Sequence, residues 1–525
     1  MSESEGALFV DRRAQTREQL THGTFDVAIV GGGILGIATA WAAARAGLRV
    51  ALLERGDFAG ATSSASSKLV HGGLRYLAMG DVRLVHENHV ERRALGDRLA
   101  PHLVRPLPFL VPVFDRGPHS RLKLGAGVLL YSALSRFGDG AGKIVSVAKA
   151  RELAPALRAK GLRGCALYYD HQMNDSRVAV MSARAAAESG AVLLNHAEVR
   201  DVRRTHGRVT GVELRDLVDG TEFGVNARVV VNATGPWLDH LRRMEDPKAA
   251  PSIRLSKGSH LVLRTDKPWH AAVTTPIDDV RVSFAIPWEG QLLLGTTDEA
   301  YEGDPAKVAC TEADIDQILG EAGLGIESDA LRRDRIAYTF AGLRVLPGGP
   351  GDTKNAKRET VITVGPGGMV SVAGGKWTTF RKIGGTVLAR VAQQLGVPGL
   401  EKALDSPVAP LPGAARPDNV SRVLLAAAPE LPDDVASHLA THYGTHAHEV
   451  IALGAADPML LERVHPDGPD IWAQVVHAIE HEWAFEVEDV LRRRTTVSVR
   501  GLDTPEVRDR VAGMLAAHGS RTAVA

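Results

Sequence analysis

Hydrophobic and polar positions alternate in blocks that predict a layered α/β chain followed by helices. The apolar run at residues 25–30 (FDVAIV) predicts a buried strand. A glycine loop, an alanine-rich helix and a second apolar strand ending at Glu54 follow at once. A loop of small residues leads to a charged helical stretch over residues 81–99, stopped by Pro101. Short β-type runs then dominate residues 192–231 and again 253–297, with turn residues between them. The segment MVSVAGG reads as one more buried strand, entering a helix over residues 377–395. Proline and alanine crowd residues 396–417, a linker. Residues 418–525 carry mostly helical periodicity and predict a C-terminal helical domain. The first 24 residues are polar and mixed in charge, and read as a disordered tail.

Composition narrows the class without naming it. The chain has 525 residues, 44% hydrophobic and 24% charged, with 62 basic and 62 acidic side chains. That is the balance of a globular protein, and no global field recruits nucleic acid. An anionic substrate therefore needs its own local cations. Cys165 and Cys310 are the only cysteines, which excludes a disulfide framework or cysteine zinc site and suits a reducing cytosol. No metal is expected. No run approaches the roughly 20 apolar residues of a spanning helix.

Gly31, Gly33 and Gly36 form G-x-G-x-x-G between the first strand and the first helix. Such glycines serve a tight turn, backbone approach to a pyrophosphate, and helix–strand packing. The helix N-terminus offers unpaired N–H groups and positive dipole to phosphate. Glu54, closing the second strand, can accept from ribose hydroxyls and would repel a 2′-phosphate. Strand, loop, helix, strand and acid in register point to a dinucleotide, NAD or FAD. Two later segments favour FAD. VVVNATGPW, with Ala233 and Gly235, resembles the late strand-to-loop turn of many FAD domains. Gly374 and Gly375 open a second helix, whose start can stabilise negative charge on a reduced flavin ring.

Taken in order, IVGGGILG, ATSSASSKLVHGGLRYL, NATGPW, KGSH, GTTD, AGLRVL and GGKWTTFRK resemble the FAD-dependent glycerol-3-phosphate dehydrogenase family over residues 25–395. LLERVHP and HEWAFEVEDVLRRRT resemble its C-terminal cap more loosely. The chain departs from the family pattern at Ala38, Ala42, Val345 and Phe380. The resemblance implies a Rossmann-like FAD-binding domain with an inserted mixed β-sheet substrate domain (about residues 75–160 and 250–335) and a helical cap. It implies oxidation of sn-glycerol 3-phosphate to dihydroxyacetone phosphate by hydride transfer to FAD, with electrons passed to a quinone.

Such a reaction must hold a dianionic phosphate, aim one C–H at the ring and accept a proton. Arg75, Arg344, Arg358 and Lys376 are the cations assigned to it. Arginine suits bidentate phosphate contact and lysine gives a point charge. Tyr76 and Thr296 are further substrate-binding candidates. His260, at a strand start, fits either a structural histidine or a general base on intrinsic pKa; the resemblance implies the base, with Arg344 and Lys376 as its catalytic companions. Thr62, Ser63, Ser64, Ser66, Ser67 and Lys68 form a hydroxyl-rich loop expected to wrap the cofactor. The Arg492–Arg493–Arg494 run reads as a solvated helix end.

Residues 117–138 place basic Arg121, Lys123 and Arg136 around an apolar centre, which suits an interfacial helix or a buried one. The implied partners are a small phosphorylated polyol and a quinone, with peripheral attachment to the cytoplasmic face of a membrane; a homodimer is compatible with the chain. The competing readings are a soluble oxidase releasing hydrogen peroxide and a diverged flavoprotein acting on another phosphorylated alcohol. Loss of turnover or an amine substrate are more distant alternatives.

Overall fold

The computed structural model describes residues 3–74, 77, 81–115, 121–278, 281–348, 360–405 and 409–519. Among them the strands form two sheets, of eight and ten strands.

The first sheet is centred on β1 (Thr24–Val30), which pairs in parallel with β2 (Val50–Leu53) and with β10 (Glu222–Asn232). On one side β2 carries β7 (Val192–Leu194). On the other, β10 carries β18 (Val370–Gly374), edged by antiparallel β17 (Thr360–Val364). The antiparallel pair β8 (Ala197–Thr205) and β9 (Arg208–Asp216) extends β10. Parallel strands are apolar on both faces because helices cover both. Here β2 is buried throughout, and α2 (Ile34–Arg45) packs between the sheet, α5 (Asp175–Glu188) and α6 (Phe380–Leu395). Its small residues permit that close approach: a side chain at Gly384 of α6 would strike the Ala38 backbone.

The second sheet runs antiparallel almost throughout. Its centre joins β4 (Val104–Phe114) and β6 (Leu162–Met173), with β3 (Leu69–Val70) and β5 (Lys143–Val145) beside β6. Its second half comprises β11 (Ile253–Leu263), β12 (Ala272–Pro276), β13 (Val282–Trp288), β14 (Gln291–Gly295), β15 (Glu299–Tyr301) and β16 (Ile336–Pro347). The long β11–β16 pairing sets Ser256 opposite Arg344 and His260 opposite Phe340. On the outside lie α3 (Val82–Ala94) and α4 (Arg121–Leu134).

Residues from Pro417 onward form helices around a core of their own, including Leu424, Leu439, Trp472 and Val490. Two of these helices are α7 (Asp433–Tyr443) and α8 (Trp472–His481). The preceding segment is anchored by Leu411, whose N–H donates to the Leu99 carbonyl.

Two expectations need correction. The N-terminal segment is a helix, α1 (Glu3–His22), and not a loose tail. Arg13 forks onto the buried Asp216 carboxylate, with Arg17 beside it, and Leu20 is fully buried. A polar helix is held here by tertiary ion pairs that its own composition does not reveal. The arginine run is also misread: Arg493 and Arg494 are buried, not solvated. Both contact Asp57, in the loop after β2, and Arg494 donates from Nη1 to that carboxylate at 2.7 Å. Arg177 of α5 likewise meets Glu482 through two donors, at 2.5 and 2.9 Å. Burial alone would raise the Glu482 carboxyl; Arg177, His477 and Arg494 bring it down to about 2. The C-terminal helices are thus fixed to the first sheet by buried ion pairs, joined by the edge-on rings of Phe58 and Trp483.

Candidate active site

A cavity of about 1250 Å³ runs from the glycine loop after β1 to the cleft between β11, β16 and the start of α6. Gly31, Gly33, Glu54, Thr62, Ser63, Ser66, Ser67, Ala233, Gly235, His260, Thr296, Arg344, Gly374, Gly375 and Lys376 all line it. Residues separated by more than 340 positions are thereby brought to one space.

The glycine-loop end is shaped by backbone. Gly31 adopts φ +109°, in the region that favours glycine, and its N–H donates to the Leu53 carbonyl at 2.8 Å. A Cβ there would lie 2.5 Å from the Ala233 carbonyl oxygen. Gly36 sits behind the loop against the Gly31 carbonyl, so its role is packing and it does not reach the cavity. Glu54 accepts from the Gly32 and Gly56 N–H groups at 2.6 and 2.8 Å. Burial raises its pKa and those two N–H donors oppose the rise. A carboxylate has roughly four lone-pair sites, leaving capacity for a diol.

The hydroxyl-rich loop divides its residues. Ser63 Oγ accepts from the Ile34 N–H at 2.9 Å, tying the loop to the start of α2, and Thr62 donates to the Leu343 carbonyl. Ser66 donates to Asp175 at 2.6 Å, and Ser67 Oγ lies 2.9 Å from His260 Nε2. Ser64 and Lys68 do not line the cavity. Lys68 is buried and bonds Asp175 and the Ser64 carbonyl, both at 2.7 Å. Lys68, expected at the cofactor, forms in the structure a buried ion pair with Asp175 that folds the loop. Asp175, Trp377 and His71 escaped sequence reasoning. Trp377 donates through its indole to the Ser63 carbonyl, and His71 lines the cavity.

At the opposite end His260 is buried, stacked on Phe340 with ring centroids 4.8 Å apart. Burial first, then the Arg344 and Lys68 charges, lower its pKa to about 3, so the ring is neutral at pH 7. The Arg344 guanidinium donates to Thr296 Oγ1 and to the Thr297 carbonyl, both at 3.1 Å, with Asp298 at 3.5 Å. Gly258 leaves it room: a Cβ there would overlap the guanidinium. Lys376 caps the turn that begins at Trp377, directly after Gly374 (φ +73°) and Gly375 (φ +87°). Arg75, Tyr76 and Arg358 lie outside the described residues.

Residues 26–381 match the FAD dependent oxidoreductase family, and residues 407–522 match the C-terminal domain of alpha-glycerophosphate oxidase. Glycerol-3-phosphate dehydrogenase 2 of Mycobacterium tuberculosis is 35% identical, over 97% of this chain and 88% of its own. The chain belongs to the FAD-dependent glycerol-3-phosphate dehydrogenase family. The glycerol-3-phosphate dehydrogenase of Synechocystis sp. is 33% identical over 92% of this chain and 90% of its own length. A Bacillus halodurans glycerol-3-phosphate dehydrogenase, solved in complex with FAD, superposes with TM-score 0.79 at 28% identity, covering 98% of this chain and 94% of its own. The L-alpha-glycerophosphate oxidase of Mycoplasma pneumoniae shares the fold, with TM-score 0.55 at 17% identity over 71% of this chain and 95% of its own. As a member of this family the chain is a flavoprotein oxidoreductase. Its cavity fits FAD: the glycine cradle admits no side chain at Gly31, and Glu54 lines the cavity with acceptor capacity beyond its two backbone N–H donors.

Proposed function

We propose that the protein oxidises sn-glycerol 3-phosphate to dihydroxyacetone phosphate with FAD as oxidant, and passes the electrons to a quinone. The observation that carries this reading is the convergence of His260, Arg344, Thr296 and Lys376 on one end of a cavity whose other end is the dinucleotide loop. Bound FAD supplies the two-electron acceptor. Arg344 and Lys376 attract the substrate's phosphate and polarise its hydroxyl oxygen. Thr296 Oγ1, itself fixed by Arg344, offers a neutral hydrogen bond that helps orient the polyol. His260 is neutral and takes the hydroxyl proton. Burial is the main cause of its low basicity and the Arg344 charge adds to it; a dianionic phosphate beside Arg344 offsets that second part. Arg75, Tyr76 and Arg358 are proposed to complete the phosphate pocket.

The quinone reading is supported by α4. Leu122, Leu129 and Leu130 project from this helix at 86, 50 and 52% exposure, with Phe137 nearby at 48%. Arg121 and Lys123 begin the same helix. An apolar face edged by basic side chains suits the surface of an anionic bilayer, here the cytoplasmic face. Residues 117–120 of the expected interfacial segment lie outside the described residues. Among the described residues no helix is long and apolar enough to cross a membrane. Oxygen as acceptor is the second reading, favoured by the C-terminal match to an oxidase domain.

Anaerobic addition of glycerol 3-phosphate should bleach the flavin absorbance within turnover time, and a short-chain quinone should restore it. Bleaching by a different phosphorylated alcohol but not by glycerol 3-phosphate would overturn the substrate. Rapid oxygen consumption with peroxide release and no quinone would overturn the acceptor.

A further inference from the structure

Outside the lining of the flavin cavity, the turn between β13 and β14 meets α7 of the C-terminal helices through three buried or nearly buried groups. His438 and His442 stand one helical turn apart on α7, both buried, with ring centroids 4.2 Å apart. Residues at i and i+4 share a helix face, which is how a helix offers two imidazoles to one ion. Glu289 faces them from the turn, its side chain 13% exposed and its backbone at φ +48°. Glu289 and Gly290 (φ +73°) are the two central residues of the tight hairpin turn, which requires positive φ at both. One ligand atom from each of the three residues lies within 4.8 Å of the other two.

The Glu289–His442 separation suits two ligands of one metal ion as well as a direct ion pair. Glu289 Oε1 and Oε2 lie 3.3 and 3.4 Å from His442 Nε2. A charge-assisted hydrogen bond closes to about 2.7–2.9 Å. Ligands about 2.0–2.1 Å from a tetrahedral ion stand roughly 3.3 Å apart. His438 also has the outer support of a metal-bound imidazole. Its Nε2 lies 2.9 Å from Asp470 Oδ1, and a ring held by a carboxylate through one nitrogen presents the other unprotonated. Asp470 is itself fixed by the Thr496 hydroxyl at 2.6 Å and the Thr496 N–H. Arg500 lies 3.5 Å from Glu289 Oε2, leaving the second carboxylate oxygen to an ion. Arg500 Nε is held separately by Thr496 at 2.8 Å.

We propose that Glu289, His438 and His442 form a binding site for a divalent transition-metal ion, zinc by ligand type, that clamps the β13–β14 turn to the C-terminal helices. Two imidazoles and one carboxylate select such an ion over magnesium or calcium, which prefer all-oxygen sets. Water completes the four-coordinate shell. The site is structural: it links elements about 150 residues apart in the chain and takes no part in the flavin chemistry.

The test uses untagged holoprotein, stripped with EDTA and then dialysed against micromolar zinc in excess magnesium. The expected result is one zinc per chain, a raised unfolding temperature, and X-ray absorption showing two imidazoles and oxygen at about 2.0–2.1 Å. Glu289→Gln, which keeps the side-chain shape, should weaken binding at least tenfold while the flavin spectrum stays native. His438→Gln/His442→Gln should abolish it. Substoichiometric zinc in the native protein, an absorption spectrum without imidazole, or unchanged binding by folded Glu289→Gln would each overturn the proposal. The native-protein measurements decide the matter if the double variant fails to fold.

Discussion

The glycine loop and the junction between the first sheet and the C-terminal helices are both buried and both close on the flavin cavity, yet they are specified in opposite ways. In the loop the information is local: three glycines between one strand and one helix, a positive φ at Gly31, and contacts that exclude a Cβ. In the junction it is distributed: Asp57 meets Arg493 and Arg494 across more than 430 positions, and Arg177 meets Glu482 across 305. A local device can be read from spacing. A distributed one is visible only when the chain is folded, because an isolated arginine run looks solvated.

The contrast can be broken most severely at the loop. Gly36→Val should leave no bound flavin, since a side chain there collides with the Gly31 carbonyl; the cost is about 4 kcal/mol or more. The absorbance ratio at the flavin and protein maxima of purified protein reads this directly, and a normally yellow variant would refute the packing role. At the junction, Arg494→Met should lower unfolding free energy by about 3–5 kcal/mol by leaving a buried carboxylate short of a partner. Denaturant unfolding measures it, and a loss under about 1 kcal/mol would show that the junction is peripheral.

Between the two regions lies the chemistry. His260→Asn should cut kcat by about 10²–10⁴-fold with flavin retained. Arg344→Lys should raise KM for the phosphorylated substrate about tenfold or more, since lysine cannot reproduce the guanidinium fork at Thr296 and Thr297. Steady-state kinetics with matched flavin content separates these effects. A His260→Asn variant of unchanged kcat would return that residue to a structural role.

The smallest effect is in pH. Burial, the leading cause in each case, holds His89 at about 4 and His102 and His260 at about 3. Below about pH 6.5 the unfolded chain binds protons that these folded rings refuse, so stability falls with pH until the folded pKa values are reached. Each full proton contributes a slope of about 1.4 kcal/mol per pH unit. His102→Asn should flatten the slope between pH 6 and 4 by up to that amount. Unchanged slopes in urea titrations across that range would show that His102 is protonated in the folded state.

These differences also explain what could be read in advance. The βαβ unit, the two β-rich blocks and the C-terminal helices were legible because periodicity and glycine spacing are properties of short windows. His260, Arg344 and Lys376 were named because family motifs surround them; by residue type and position alone, a structural role was the more usual one for His260. Lys68 was misassigned because its partner Asp175 is 107 residues away, and α1 because its partner Asp216 lies on β9. Glu289, His438 and His442 gave no signal, since the third member is remote from the helical pair.

Asp57 and Arg493 line the cavity while also joining the first sheet to the C-terminal helices. The wall beside the nucleotide end is therefore completed by side chains translated near the end of the chain. During synthesis that stretch of wall is missing until Arg493 has been made, so the nucleotide end is the last part of the lining to be supplied.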